Sequence, residues 1–180
     1  MKKLFAMLLA LVMALSLVAC GEQGGEQGGD APQGGGAGSG DKVIKIGVFE
    51  PQSGDNGAGG KQEILGMQYA NKMFPTVTVG GEEYQVELVY ADNASSNDKA
   101  PTAAQTLISQ GVSVVLGSYG SGVSIAAGDT FSAAQVPAIG VTCTNPQVTS
   151  DCAAYFRICF LDPFQGTVLA NSAKNELTAT

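Results

Sequence analysis

The chain has 180 residues, a formal net charge of −7 and no histidine. An acidic chain without a basic stripe is not built to grip nucleic acid, and the missing imidazole removes His-based triads, His general bases and the usual His-containing zinc sites. Once forty N-terminal residues are set aside, the remainder is enough for one buried core.

The N-terminus reads Met1-Lys2-Lys3, then an uncharged run from Leu4 to Ala19, then Cys20-Gly21. A positive start, an apolar stretch and a small-residue end are the pattern of a secretory signal, so residues 1–19 are expected to be a signal peptide. Sixteen apolar residues are marginal for crossing ~30 Å of hydrocarbon. Leu17-Val18-Ala19-Cys20 resembles the lipobox of bacterial lipoproteins, which implies cleavage before Cys20 and acylation of that residue. Two or more acyl chains give stable attachment. This places the protein at the cell membrane, lipid-anchored on the extracytoplasmic side. Residues 20–40 are expected to be a flexible linker, because ten of the 25 glycines fall in 21–40 and the segment has almost no apolar surface to offset the entropy of ordering.

The body, 41–180, alternates strand-like and helix-like segments. Val43 to Phe49 is β-branched and apolar, a buried strand, followed by a turn-rich loop and a helix from Gln62 to Phe74 that Pro75 ends. Val77 to Gly81 predicts a short extension turning at Gly80-Gly81, and Tyr84 to Ala91 a second strand. Asn97 or Asp98 is placed to cap a helix with Ala100, Ala104, Leu107 and Ile108 on one face and Pro101 in its first turn. After Gly111 come a strand at Val112 to Leu116, a helix at Val123 to Ala134, strands at Val136 to Val141 and Tyr155 to Phe160, and a last helix from Pro163. Strands joined by helical crossovers predict an α/β fold with a doubly wound parallel sheet, whose ligands sit beyond the carboxyl ends of the strands.

Three loops lie at those ends: Glu50 to Gly60, Gly117 to Gly122 and Thr142 to Thr149. In Gly117-Ser118-Tyr119-Gly120-Ser121-Gly122, glycines let backbone N–H groups converge, serines add hydroxyls and a helix start follows, which suits an anion such as a carboxylate. The same residues also suit a tight turn with Ser121 as a helix cap. No dinucleotide glycine pattern follows the first strand and no Walker motif occurs. Thr144 and Asn145 bring polar groups to the same edge, or shape the turn before Pro146.

Ile44-Lys45-Ile46-Gly47 leading to Ser53-Gly54, Gly117-Ser118-Tyr119-Gly120-Ser121, Thr144-Asn145-Pro146, Phe156-Arg157-Ile158 and Asp162-Pro163-Phe164-Gln165-Gly166 together resemble, in order and spacing, the branched-chain amino-acid-binding proteins of ABC importers, the leucine/isoleucine/valine-binding family. The resemblance runs from about Lys42 onward. It implies the first lobe of a two-lobed periplasmic-binding-protein fold of type I, with the second lobe absent from this chain. The amino-acid ligand would be held by Ser121, the backbone carbonyl of Thr142 and the hydroxyl of Thr144, with Tyr119 and Gly120 beside them, and partners would be an ABC permease and its ATPase. Two departures stand out. Where some members set an aromatic residue in the first loop this sequence has Gly59 nearby, and Ser95 and Gly120 replace a cysteine pair that some members form.

Of the remaining cysteines, Cys143 and Cys152 bracket a loop that a disulfide could close in an exported protein, while Cys159 reads as a buried small hydrophobe. No catalytic residue, metal site or cofactor is expected: a nucleophilic cysteine would lack a histidine base and no Gly-x-Ser-x-Gly elbow occurs. The expected function is a lipid-anchored solute-binding component of an amino-acid importer. The alternative is a ligand-sensing ectodomain built on the same lobe.

Overall fold

Val43–Glu50 forms β1, and its β-branched run places it at the centre of a six-stranded sheet. The computed structural model describes residues 42–177; the signal, Cys20 and the Gly-rich segment lie outside them. After β1 come α1 (Gly57–Met73), β2 (Thr76–Val79), β3 (Glu82–Asp92), α2 (Ala100–Ser109), β4 (Val114–Leu116) and α3 (Ser121–Ala133). The chain continues through β5 (Ala138–Gly140), the single turn α4 (Gln147–Ser150), β6 (Tyr155–Arg157) and α5 (Asp162–Asn175). The strand order is β2-β3-β1-β4-β5-β6. All neighbours are parallel except β2, which pairs antiparallel with β3 after the Gly80-Gly81 turn.

Alternation along β1 sends successive side chains to opposite faces. Phe49 joins a core with Leu107 of α2 and Val123, Ala127 and Phe131 of α3, whereas Val48 joins Ile64 and Met67 of α1. Helices thus cover both faces, and the doubly wound α/β architecture read from the sequence is present. The Phe131 ring meets Phe49 edge-on at 5.4 Å between centroids and Tyr155 at 6.2 Å, a favoured aromatic geometry. On α5 no residue is buried, and Phe164, Val168 and Leu169 are exposed.

The observed elements depart from the sequence reading in three places. Helix α1 begins at Gly57 rather than Gln62; Gly57-Ala58-Gly59-Gly60 is a poor helix former, but Gly57 and Gly60 are buried, and a Cβ on Gly60 would come within 2.2 Å of the Pro51 carbonyl oxygen. Packing overrides propensity there. Neither Asn97 nor Asp98 caps α2: Lys99 is the cap residue, without a side-chain cap bond, and the Ser96 carbonyl receives the N–H groups of Lys99 and Ala100 instead. Finally, β4, β5 and β6 are each three residues long, so the apolar runs at Val136 and Ile158 extend past the paired region.

Candidate functional site

The carboxyl ends of β1, β3, β4 and β5 bring four loops together, one more than the sequence reading selected. The additional loop follows β3. At its start, Asp92, the last residue of β3, accepts hydrogen bonds from the N–H groups of Gln52 at 2.8 Å, Ser53 at 3.4 Å and Ala94 at 2.8 Å, and from the Ser53 hydroxyl at 2.6 Å. Burial alone would raise the Asp92 pKa, but these donors, the Ser53 hydroxyl foremost, hold it below the usual carboxylate value. Next to it, the fully buried Asn93 donates to the Phe49 carbonyl at 3.1 Å and to Ser118 Oγ at 2.9 Å, and its own Oδ1 receives Ser95 N–H. Asp92 and Asn93 therefore lash the first loop and the Gly117 loop to the sheet edge.

Gly117 has φ +121°, and a Cβ there would lie 2.3 Å from the Phe49 carbonyl oxygen, so only glycine lets this loop approach β1 so closely. The Tyr155 hydroxyl, buried behind it, donates to the Gly117 carbonyl at 2.8 Å; burial pushes its pKa up, so it stays a donor. Gly120 takes the cap position of α3, and no side chain caps the helix. Ser121 is the first helical residue, and its Oγ accepts the Asn145 N–H at 3.2 Å. Its hydroxyl joins the Gly117 loop to the Thr142 loop, so the two loops expected to face one ligand are in direct contact.

The Thr142 loop is held from below. Arg157, at the end of β6, donates to the carbonyls of Cys143 at 3.0 Å, Asn145 at 2.9 Å and Pro146 at 3.0 Å, and to the Thr149 hydroxyl at 2.6 Å. The planar guanidinium fork suits this multiple role. Thr142 is exposed and Thr144 half-buried; Thr144 contributes its carbonyl to the Asp162 N–H at 3.1 Å, and Thr142 donates its hydroxyl to Glu63. Tyr119 is 37% exposed, and its ring lies over Gly59: a Cβ on Gly59 would be 2.6 Å from the ring's Cζ. The Tyr119 ring thus occupies the space that a side chain at position 59 would need.

Sequence reasoning missed Glu50. The residue ends an apolar strand, is fully buried, and accepts the Tyr119 N–H through Oε2 at 2.6 Å. Its pKa is raised to about 10, by burial first and then by the hydrogen bond to and charge of Glu63, with the Tyr119 N–H opposing. The other oxygen, Oε1, and Oε2 of Glu63 are both buried without a partner. A Glu50 carboxyl that keeps its proton has a donor to offer the neighbouring Glu63 carboxylate, which an ionised Glu50 would lack. The available signal was a lone acid at the carboxyl end of a strand that is otherwise apolar in its second half.

Cys143 and Cys152 are free thiols here, and the pairing expected from the loop is not formed. Cys152 Sγ engages the Ser132 hydroxyl at 3.2 Å and the Gly128 carbonyl at 3.4 Å. Cys143 is fully buried, and its thiol pKa is pushed up to about 11, chiefly by burial. Among the described residues no cluster of three or more His, Cys, Asp or Glu could hold a metal ion, and no helix is long and apolar enough to cross a membrane.

A family model described as periplasmic binding protein matches residues 43–178. An amino acid binding protein of Pseudomonas aeruginosa is 33% identical over 139 residues, covering 76% of this chain and 37% of its own length. Among solved structures, a leucine-binding protein from Thermotoga maritima superposes with a TM-score of 0.69 at 34% identity, over 76% of this chain and 38% of the other. The branched-chain amino acid transporter substrate-binding protein of Streptococcus pneumoniae, in complex with isoleucine, gives 0.68 at 32% identity, over 77% and 40%. The chain thus spans about two fifths of the length of these relatives.

Proposed function

Starting from the fact that the chain belongs to the periplasmic binding protein family, we propose that it is the solute-binding component of an ABC importer and holds a small amino acid, of branched-chain type, for delivery to the permease and its ATPase. The observation that carries this reading is the meeting of two loops: the start of α3, free of a side-chain cap, and the Thr142 loop, joined by the Asn145 to Ser121 hydrogen bond. In this reading the helix start and Ser121 receive the α-carboxylate. The backbone carbonyl of Thr142 and the hydroxyl of Thr144 receive the α-amino group, while Tyr119 and Gly120 lie beside the ligand. A zwitterion needs donors at one end and acceptors at the other, and these two loops supply both kinds within one edge of the sheet.

The same proposal includes a lipid anchor at Cys20 on the extracytoplasmic side, supported by the charged start, apolar run and Leu17-Val18-Ala19-Cys20 ending. Calorimetry on the protein expressed from its complete reading frame, with leucine, isoleucine, valine, alanine and carboxylates lacking an amino group, tests the ligand. Tightest binding of a branched-chain amino acid supports the reading, and preference for an acid without an amino group overturns it. Ser121→Ala should weaken binding by roughly 1–3 kcal/mol, as expected for a hydrogen bond to a charged group. For the anchor, Cys20→Ala should release the protein from the membrane fraction; unchanged processing and retention would refute it.

A further inference from the structure

Helix α1 buries one stripe, Gly57, Gly60, Ile64 and Met67. A helix that turns one face to a core normally carries polar residues on the other, but here Leu65, Tyr69 and Met73 recur every fourth residue as an outward ridge, 56%, 67% and 55% exposed. Phe74, at the end of the helix, is 74% exposed, and Val77 and Val79 of β2 are exposed beyond it. At roughly 200 Å² for a free side chain of this size, these six leave on the order of 700 Å² in solvent. That exceeds the largest apolar patch of a typical monomer, about 300–600 Å², and approaches the ~800 Å² that each subunit gives to a stable dimer. Alongside lies a groove of about 280 Å³, lined by Met67, Ala70, Phe74, Val77 and Leu88 together with Asn71. Among the described residues Asn71 Oδ1 is buried without a hydrogen-bond partner. The group that suits such a groove is an apolar body tipped by a donor, which is the chemistry of a tyrosine.

We propose that the outward ridge of α1 is an interface between two copies of this chain, packed antiparallel about a two-fold axis beside Ala70, with Tyr69 of each copy inserted into the groove of the other and its hydroxyl donated to Asn71 Oδ1. Side chains at every fourth position form the ridges by which helices most often pack, and an isologous contact needs a surface complementary to itself. An axis beside Ala70 meets that need residue by residue. It sets Tyr69 against the partner's Asn71, and the exposed Phe74 ring against the partner's Gly66, where a Cβ would find open space. Lys72 then faces the partner's Gln68, so no like charges oppose each other at the crossing.

Sedimentation equilibrium on the protein expressed from its complete reading frame should show monomer and dimer in exchange. Tyr69→Lys, at an exposed position whose replacement leaves the fold intact, should raise the dimer dissociation constant about tenfold or more. Tyr69→Phe and Asn71→Leu should each weaken the dimer severalfold, and the double variant no more than either alone, because both remove the same hydrogen bond. A protein still monomeric at about 100 μM, a dimer that Tyr69→Lys leaves unchanged, or fully additive losses in the double variant would overturn the proposal. So would a monomer whose Tyr69 resists nitration by tetranitromethane, since the ridge would then be covered by another part of its own chain.

Discussion

Replacing Glu50 with Gln tests the buried acid through the pH dependence of stability. Glu50 is fully buried, and its pKa is raised from 4.5 to about 10, by burial first and then by Glu63. Above its unfolded pKa the unfolded chain gives up this proton while the native chain keeps it, so the native state binds one proton more and stability falls as pH rises. The stability from this site is fully present below 4.5 and is lost progressively up to about 10. One proton corresponds to about 1.4 kcal/mol per pH unit, so between about pH 6 and pH 8 the wild type should lose roughly 2.7 kcal/mol through this pair. In the variant the amide oxygen still accepts from Tyr119 and the amide N–H donates to Glu63, so no titrating proton is held and the slope disappears. Urea unfolding of both proteins across that range measures the difference. The advantage of Glu50→Gln should grow with pH by about that amount; parallel profiles, agreeing within about 0.5 kcal/mol, would refute the retained proton.

Three further predictions concern packing and the loops. Phe131→Ala removes a fully buried ring in contact with Phe49 and Tyr155, and denaturant unfolding should register a loss of about 3–5 kcal/mol. Gly59→Ala places a methyl group in the Tyr119 ring, which must swing away; since that ring is already 37% exposed, stability should change by less than about 1 kcal/mol, while tyrosine emission and affinity for a branched-chain ligand change. Arg157→Lys cannot span the carbonyls of Cys143, Asn145 and Pro146 together with Thr149, so amide exchange over 142–150 should accelerate and stability fall by about 1–3 kcal/mol; unchanged exchange would show that the loop holds itself.

The alternation of β-branched runs with helical segments was enough to determine the doubly wound sheet, because burying Val48 and Phe49 on opposite faces requires helices on both sides. The same logic located the Gly117 and Thr142 loops at one edge, since parallel strands place their carboxyl ends together. What lay beyond the sequence was the use made of individual polar residues. From the sequence Ser121 could be part of an anion site or a cap, and only the approach of the Thr142 loop made it the acceptor for Asn145 N–H. Nothing in the spacing of Glu50 and Glu63 announces that they meet; one ends a strand and the other rides the second turn of a helix whose early start depends on Gly60 packing against Pro51. Patterns with a period are written in the chain because each residue's burial follows from its neighbours. A retained proton depends instead on the low dielectric and the distances created when separate segments close on one another, and those exist only in the tertiary structure.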